Sequence, residues 1–327
     1  MKVSNRIVTE DEADLRLDRW FRRHYPNLTQ GALQKLCRTG QVRVDGGRVQ
    51  TNTRLLPGQN VRIPPMPDVS RPAPPPPPDP HMVREIEKMV IYKDDHLMVL
   101  NKPSGLATQG GPGITKHVDM MLDGLRQDEG ERPRLVHRID RDTSGLLLIA
   151  RTPGVAAKLA AAFRSRDVKK TYWAIVVGRP QPASGVIDQP LAKVGAGGAA
   201  LVVPVGRDEE DAASAKSEYE TIDAAGKKIT WLALSPLTGR THQLRVHCES
   251  LGTPILGDPR YGGKTAHPDG FLDQLHLHAR ELDIPHPAGG RLIVTAPLSA
   301  HMRETFRTMG FVAGDTPGPK RIRAKKA

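Results

Sequence analysis

The most distinct hydrophobic pattern lies in the middle of the chain. Residues 146–149 read Leu-Leu-Leu-Ile, and a continuous apolar run of this length is typical of a buried strand. Thr143-Ser144-Gly145 precedes the run and predicts the tight turn that leads into it. We therefore expect Asp140 at the edge of that turn, where a rigid element holds the carboxylate but leaves it able to reach a ligand.

Helix and strand patterns continue on both sides of this run. Residues 90–100 alternate around a polar turn and predict a hairpin. Thr152-Pro153 predicts a helix N-terminus, because threonine caps well and proline is tolerated at the first helical position. Residues 193–213, rich in glycine and acidic residues, predict a surface hairpin. Together these elements predict an α+β domain over residues 83–312, in which helices flank a mixed, mainly antiparallel sheet.

Two side chains in this domain have an ordinary structural explanation. Tyr172 shares one face of a predicted strand with Ala174, and a tyrosine in a strand usually packs in the core. Arg245 borders the apolar stripe of a helix that we expect to be capped by Thr241 and ended by Gly252. By spacing alone, Tyr172 is a core residue and Arg245 a surface residue.

A smaller module is predicted for residues 1–63. Its apolar spacing predicts two short helices, the second capped by Thr29 and ended by Gly40. A hairpin with its turn at Asp45-Gly46-Gly47 follows, and a last strand ends at Ile63. A length of 327 residues is consistent with two domains.

The segment between these domains is dominated by proline. Ten of the seventeen residues from Pro64 to Pro80 are prolines, and such a chain stays extended with a solvated backbone. We interpret residues 64–82 as a stiff linker; a PxxP ligand for an adaptor domain is the alternative. At the other end, residues 313–327 are basic and are expected to be disordered.

The charge balance indicates a polyanionic partner. The chain has 48 lysines and arginines against 36 acids, which gives a net charge of +12, and its pI is about 9.8. Residues 1–63 contain twelve of the basic residues and six of the acids. Half of the net charge thus lies in about a fifth of the chain, which favours a nucleic-acid-binding role for this module.

Cysteine content and hydropathy suggest a compartment. Cys37 and Cys248 lie far apart in the sequence and supply no disulfide framework. The first residues lack the apolar core of a signal peptide, and no run is long enough to span a membrane. We expect a cytoplasmic protein that does not enter a membrane.

Charged side chains cluster just before the central apolar run. Residues 137–142 read His-Arg-Ile-Asp-Arg-Asp. An aspartate that bonds its own backbone, beside a solvated Arg–Asp pair, explains this segment as well as an active site does. The longer string HRIDRDTSGLLLIA, however, resembles the HRLDxxTSG motif of the RluA-type RNA pseudouridine synthases. That resemblance implies that Asp140 is the catalytic aspartate.

Two further motifs follow in the order found in that family. Residues 170–174 resemble its K-x-Y-x-A element, which implies that the ring of Tyr172 lies against the target uracil. Residues 238–247 resemble its TGRTHQIRVH motif, which implies that Arg245 pairs with Asp140. The resemblance therefore reassigns both side chains from structural to catalytic roles.

The basic module also resembles a known domain. Residues 29–46 are similar to the S4 RNA-binding domain, in which a helix and a hairpin carry the RNA contacts. The two resemblances together imply contacts between RNA and seven basic residues, namely Arg22, Arg23, Lys35, Arg38 and Arg43 in this module and Arg138 and Arg240 in the larger domain.

Neither a metal nor a nucleotide cofactor is expected. His276, His278 and His286 invite a metal interpretation, but a His-x-His sequence without convincing further ligands is a weak metal motif. Residues 275–280 instead resemble the LHAxxL strand of the same family. The glycine-rich region near residue 195 lacks a phosphate-cradling pattern.

The resemblance covers nearly the whole chain and implies an isomerase that converts uridine in RNA to pseudouridine. Its architecture is closest to the RluC branch, which modifies 23S ribosomal RNA. The expected partner is 23S rRNA or a large-subunit assembly intermediate, bound by a monomeric enzyme. Because this reaction redistributes bonds within one nucleotide, it needs no redox equivalent and no ATP.

Three alternatives stay open at this point. One is a synthase of the same family that acts on tRNA or at another RNA site. Another is a noncatalytic RNA-binding protein of the S4 type. The third is a base-releasing glycosylase that uses Asp140 with Asp142, since residues two apart in an extended chain face the same side. Only the glycosylase would free uracil, whereas an isomerase leaves the RNA mass unchanged.

Overall fold

The computed structural model describes residues 3–26, 28–65, 78–127, 130–195, 200–314 and 318–322. It divides into an N-terminal unit, Met1–Pro77, and a C-terminal unit, Pro78–Ala327. Most of the predicted proline linker lies outside the described residues. The first helix of the C-terminal unit starts at Pro80, so ordered structure begins three residues earlier than the boundary expected at residue 83.

The N-terminal unit has the predicted helices and hairpin, together with an edge strand that the hydropathy pattern does not predict. Its elements are β1 Ser4–Ile7, α1 Leu17–His24, α2 Gln30–Arg38, β2 Arg43–Val44, β3 Gly47–Arg48 and β4 Asn60–Ile63. The strands form one sheet in the order β1-β4-β2-β3. Trp20, Phe21 and Leu33 are buried between the helices and this sheet, and Thr29 caps α2 by accepting a hydrogen bond from Ala32 N–H.

Five α-helices of the C-terminal unit lie within the described residues. They are α3 Pro80–Met89, α4 Val118–Met121, α5 Pro153–Arg164, α6 Gln243–Ser250 and α7 Ala300–Met309. As predicted, Thr152 caps α5, and its hydroxyl accepts a hydrogen bond from Val155 N–H at 3.3 Å. Val155 and Leu159 pack this helix against the sheet.

The same unit carries thirteen described strands. They are β5 Val90–Lys93, β6 Leu97–Lys102, β7 Arg134–Leu135, β8 Ser144–Ala150, β9 Lys169–Val177, β10 Ser184–Asp188, β11 Leu191–Val194, β12 Leu201–Pro204, β13 Lys216–Ala225, β14 Ile229–Pro236, β15 Leu277–Pro285, β16 Arg291–Thr295 and β17 Lys320–Ile322. Eleven of them form one sheet with the main order β10-β13-β14-β9-β15-β8-β6-β5. All its pairings are antiparallel except that of β15 with β8, which confirms the α+β fold class.

The central strand begins earlier than the sequence pattern predicts. Ser144 and Gly145 form the first residues of β8 and pair with β15, so they are not part of a turn. A Cβ atom on Gly145 would lie 2.3 Å from the carbonyl oxygen of Ala279. Glycine is therefore required because the parallel neighbour approaches the backbone here too closely for any side chain.

Helix α6 also begins differently from the expectation. Thr241 does not cap it; His242 holds the N-cap position in a left-handed conformation, with φ 54° and no side-chain cap. The side chain of Gln243 closes the preceding turn instead, because its carbonyl oxygen accepts hydrogen bonds from Arg240 N–H and the Thr238 hydroxyl. A glutamine one residue into the helix thus replaces the threonine cap.

The C-terminal tail is partly ordered, contrary to the expectation for residues 313–327. Lys320–Ile322 forms β17 and pairs antiparallel with β16. The edge of β16 offers unpaired backbone groups, and a short strand satisfies them.

Candidate active site

A cleft of about 840 Å³ in the C-terminal unit brings the sequence motifs together. The motif residues on its walls include Arg138, Asp140, Arg141, Lys170, Tyr172, Arg240, His242 and Arg245. Gln109, Gly110 and Ile114, from the loop between β6 and α4, form another part of the wall. Arg164 and Arg166, which belong to none of the motifs, also line it, so the cleft carries more positive charge than the motifs alone indicate, as an anionic substrate requires.

The segment that carries Asp140 is fastened through its backbone. The hydroxyl of Thr108 donates to the carbonyl oxygen of Ile139 at 2.6 Å, and the hydroxyl of Ser104 donates to that of Asp142 at 2.7 Å. The carbonyl oxygen of Arg141 accepts from the ammonium group of Lys102 at 2.9 Å. Because these bonds use main-chain atoms, the carboxylate of Asp140 stays free to point into the cleft, with 27% of its side chain exposed.

Lys102 is the buried centre of this support. Its ammonium group also donates to the carbonyl oxygens of Pro103 at 2.9 Å and Leu106 at 2.7 Å, so its three protons match three acceptors. Burial lowers the pKa of Lys102 to about 7, and the charges of Asp142 and Asp140 oppose this shift. Sequence reasoning assigned no role to Lys102, although it belongs to the Asn-Lys-Pro string that precedes the loop.

Arg245 reaches the same point from α6. Its side chain is 2% exposed, and its Nη1 lies 4.0 Å from the Oδ2 of Asp140. Its main partner, however, is Asp258, which accepts hydrogen bonds from Nε at 2.8 Å and from Nη2 at 2.6 Å. Burial opposes the charge of Arg245, but bonding to Asp258 and the negative charges of Asp258 and Asp140 raise the pKa of the guanidinium. The guanidinium is thus a permanently charged bridge between two carboxylates.

Asp258 is a second residue to which sequence reasoning assigned no role. It is 1% exposed, and its Oδ1 also accepts hydrogen bonds from the backbone N–H groups of Arg260 and Tyr261. The sequence contains one indication, since Asp258 follows the apolar stretch Pro254-Ile255-Leu256-Gly257. An acid in such a place is buried only if it is paired, but the partner cannot be identified from spacing.

Tyr172 lies on β9, on the face that turns toward the cleft. Its ring packs against two neighbouring hydrophobic clusters of the core, and the residue also lines the cleft. Burial, and then the charge of Asp140, raise the pKa of Tyr172 well above its usual value. The phenol therefore stays protonated throughout the physiological pH range.

The two arginines expected to contact RNA are exposed at the cleft. Arg138 donates a hydrogen bond to the side-chain oxygen of Gln109 at 3.3 Å. Arg240 uses its Nε to donate to the carbonyl oxygen of Ser214 at 3.0 Å. Each is therefore anchored at one point and still presents a charged group to solvent.

The basic residues proposed for the N-terminal unit fall into two groups. Arg22, Arg23, Lys35 and Arg38 are exposed on α1 and α2. Arg43 is half-buried, and its guanidinium donates to the carbonyl oxygens of Gly40 and Gly46. Arg43 therefore braces the hairpin turn in addition to any contact with a ligand.

The second carboxylate of the central motif is not part of the cleft wall. Asp142 accepts a hydrogen bond from the Nε of Arg141 at 3.1 Å and is absent from the residues that line the cleft. The expectation that Asp140 and Asp142 face the same side requires an extended chain, whereas this segment bends, and the carbonyl group of Arg141 turns toward Lys102. A two-carboxylate glycosidase site is therefore not assembled here.

The candidate metal histidines are separated by their hydrogen bonds. His276, His278 and His286 bond through their rings to Thr305, Ser144 and Asp94, respectively. Within the described ranges, no group of three or more His, Cys, Asp or Glu side chains is arranged to hold a metal ion. No helix among the described residues combines the length and apolarity needed to span a bilayer.

Comparisons with known proteins converge on one family. A family model described as RNA pseudouridylate synthase matches residues 96–250. The ribosomal large subunit pseudouridine synthase C of Vibrio cholerae is 36% identical over 308 residues, which cover 92% of this chain and 95% of that protein. The Escherichia coli protein of the same name is 33% identical over 310 residues, with the same coverages. The solved structure of human RNA pseudouridylate synthase domain containing 4 matches with a TM-score of 0.59 and 28% identity, covering 70% of this chain and 96% of that one.

Proposed function

The chain belongs to the RNA pseudouridine synthase family, and we propose that it isomerises specific uridines of 23S ribosomal RNA. The relatives named as large-subunit synthases, which match along nearly their whole length, support this choice of substrate. The reaction breaks the bond between ribose C1′ and uracil N1, turns the base, joins C5 to C1′ and releases the C5 proton. The base stays in the site throughout.

The observation that carries the proposal is the Asp140–Arg245 pair. In the proposed mechanism Asp140 is the nucleophile and adds either to C1′ or to C6 of the ring. It must therefore be ionised in a cleft from which the bound nucleotide excludes water, and desolvation opposes that charge. The permanently charged guanidinium 4.0 Å away favours the ionised carboxylate, and Asp258 holds the guanidinium in place.

The other cleft residues bind and enclose the nucleotide. A uridine stacked in RNA must be extruded to reach Asp140, at a cost of about a few kcal/mol. We assign the ring of Tyr172 to packing against the uracil. Arg138 either fills the space left by the extruded base or binds a neighbouring phosphate, and Arg240 contacts the backbone.

The N-terminal unit is proposed to be an S4 domain that increases RNA affinity. Its exposed arginines and lysine on α1 and α2 are the type of side chain that neutralises phosphates. We further propose that the enzyme acts as a cytoplasmic monomer on 23S rRNA or on a large-subunit assembly intermediate. Sedimentation of the purified chain with and without RNA tests the monomeric state.

The proposal is tested by following the C5 proton and the base separately. With RNA labelled with tritium at uracil C5, we expect tritium release without free uracil, and no tritium release from the Asp140→Asn variant. Free uracil would indicate the glycosylase. RNA binding without either product, by a folded wild-type protein, would indicate the noncatalytic RNA-binding protein.

The substrate is tested in cells. Pseudouridines mapped in total RNA from a strain that lacks the gene should be missing at defined positions of 23S rRNA and restored by the wild-type gene but not by Asp140→Asn. Loss confined to tRNA would refute the large-subunit assignment and leave the isomerase assignment intact.

A further inference from the structure

His242 is a cleft residue to which neither the sequence motifs nor the proposed mechanism assigns a role. It lines the cleft beside Asp140 and Arg245, and its backbone has φ 54°. Histidine is among the few residues enriched in this left-handed conformation, but the conformation still requires support from its surroundings. The support comes from the ring, because Nδ1 lies 2.8 Å from the hydroxyl oxygen of Tyr261.

The hydrogen bonds of Tyr261 determine which ring nitrogen of His242 carries the proton. The Tyr261 hydroxyl oxygen accepts the backbone N–H of Val202 on β12 at 3.2 Å. Within the part of the chain that the structure describes, Nδ1 of His242 is the one acceptor in reach of the hydroxyl proton. A phenol has a single proton to donate. That proton therefore points at Nδ1, and the neutral imidazole carries its own proton on Nε2.

The surroundings keep this imidazole neutral. Burial lowers the pKa of His242, and the positive charges of Arg245 and Arg260 lower it further. The negative charges of Asp140 and Asp258 raise it, and the net shift is downward. Tyr261 is itself fixed from the other side, because the guanidinium of Arg245 lies 5.0 Å from its ring centroid. Nε2 has no hydrogen-bond partner among the described residues, so the N–H group is available to a bound molecule.

A neutral donor has a specific use in this reaction. Whether Asp140 adds to C1′ or to C6, negative charge develops on the uracil and is shared by its carbonyl oxygens. Hydrogen-bond donors aimed at such oxygens stabilise the transition state. A cationic acid could transfer its proton and quench the anion before C5 reacts, whereas a neutral imidazole donates a hydrogen bond and retains its proton.

We propose that His242, held as the Nε2–H tautomer by Tyr261, donates a hydrogen bond to a carbonyl oxygen of the extruded uracil. The inference rests on the proposed function, since it requires a uracil against Asp140. The other acceptor in the RNA is a phosphate oxygen. A contact from the neutral N–H group to a phosphate would strengthen RNA binding, whereas a contact to the uracil oxygen accelerates the chemical step.

The tautomer can be measured without any activity. We expect ¹⁵N-histidine NMR spectra of the full chain near neutral pH to show His242, assigned by its loss in His242→Asn, with its proton on Nε2. In Tyr261→Phe, which keeps the ring but lacks the hydroxyl, this preference should be lost. A proton on Nδ1, or a doubly protonated ring, in the wild type overturns the proposal. Because this measurement needs no substrate, it also separates failure of the inference from failure of the proposed function.

The role in the reaction is measured by single-turnover kinetics with tritiated RNA. His242→Asn tolerates the left-handed backbone but is too short to place a donor at Nε2, so we expect the rate constant to fall about a hundredfold. RNA affinity should stay within twofold. His242→Gln, whose amide reaches about as far as Nε2, should recover part of the rate, and His81→Asn, an exposed histidine on α3, should have no effect.

Two results would contradict the proposed contact. A rate constant for His242→Asn within threefold of the wild type would show that the reaction does not depend on this hydrogen-bond donor. Weaker RNA binding with an unchanged rate at saturating RNA would assign the N–H group to a phosphate. Full activity in Asp140→Asn, measured in parallel, would instead refute the mechanism on which the inference rests.

Discussion

The two units of this protein use charged side chains in opposite ways. At the cleft, Arg245 is almost fully buried and joined by two hydrogen bonds to the buried Asp258 behind it. In the N-terminal unit, Arg22, Lys35 and Arg38 lie exposed on two helices. A buried ion pair is costly unless its geometry is excellent, whereas an exposed charge is inexpensive and adaptable. We therefore expect substitutions in the cleft to affect rate and stability, and those in the N-terminal unit to affect affinity.

The largest effect after loss of Asp140 itself is expected for Arg245→Met. Removal of the guanidinium leaves Asp140 and Asp258 without their shared counter-charge, so the carboxylate of Asp140, the proposed nucleophile, is harder to ionise. We expect the single-turnover rate constant to fall about a thousandfold, with RNA affinity within twofold. Arg245→Lys should not recover the rate, because a lysine cannot make the bidentate bond to Asp258. Weak binding with a normal rate would show that Arg245 is an RNA contact instead.

A smaller effect on the same network is expected for Asp258→Asn. Breaking one side of a buried ion pair lowers the free energy of unfolding by about 3 kcal/mol. The misplaced guanidinium should also lower the rate constant by about a hundredfold. Urea unfolding and single-turnover kinetics measure the two effects. The matched control is Asp142→Asn, whose carboxylate bonds to Arg141 and does not line the cleft; its rate should stay within threefold of the wild type.

The pH dependence of stability sharpens the contrast between buried and exposed charges. Lys102 has its pKa lowered to about 7 in the folded protein, whereas an unfolded lysine titrates near 10.4. Between these two pKa values the unfolded chain binds more protons at this site than the folded protein does. The free energy of unfolding should therefore rise as the pH is raised from about 7. The expected slope is up to about 1.4 kcal/mol per pH unit.

This prediction is measured as the difference between the wild type and Lys102→Met in urea unfolding from pH 7 to pH 10. Lys93→Met removes an exposed lysine on β5 and should follow the wild-type curve. If the difference in free energy of unfolding between the wild type and Lys102→Met does not change with pH, the buried ammonium keeps its ordinary pKa.

The smallest effect on the reaction is expected in the N-terminal unit. Replacing Arg22, Lys35 and Arg38 together by glutamine should weaken RNA binding by about tenfold at low salt and lower the slope of log affinity against log salt by about three. The rate constant at saturating RNA should stay within twofold. Filter binding over a salt series and single-turnover kinetics provide the two measurements.

The control removes exposed charges that lie outside α1 and α2. Arg6 is on β1 and Arg54 precedes β4, and both are exposed; their double glutamine variant should change the salt slope by less than one. A slope change of about one per removed charge in both variants would mean that the N-terminal unit binds RNA by total charge, without a defined surface on α1 and α2.

Much of the fold follows from local sequence. The apolar run before Ala150, the Thr152 cap of α5 and the helices and hairpin of the N-terminal unit occur as their spacing predicts, because neighbouring residues determine these elements. The predictions that are wrong concern residues that pair with a strand distant in the sequence. Gly145 belongs to a strand because β15 pairs with it, and residues 320–322 are ordered because β16 accepts them.

The sequence by itself determined the family resemblance, the basic N-terminal unit and the three motif residues Asp140, Tyr172 and Arg245, since each lies within a short recognisable string. Only the tertiary structure decided how these residues are held. Asp258 as the partner of Arg245, Lys102 beneath the Asp140 segment and Tyr261 behind His242 all depend on contacts between elements far apart in the chain. The physical reason is that a buried charge or a fixed tautomer needs partners on several sides, and the folded chain supplies them from segments whose proximity no local pattern encodes.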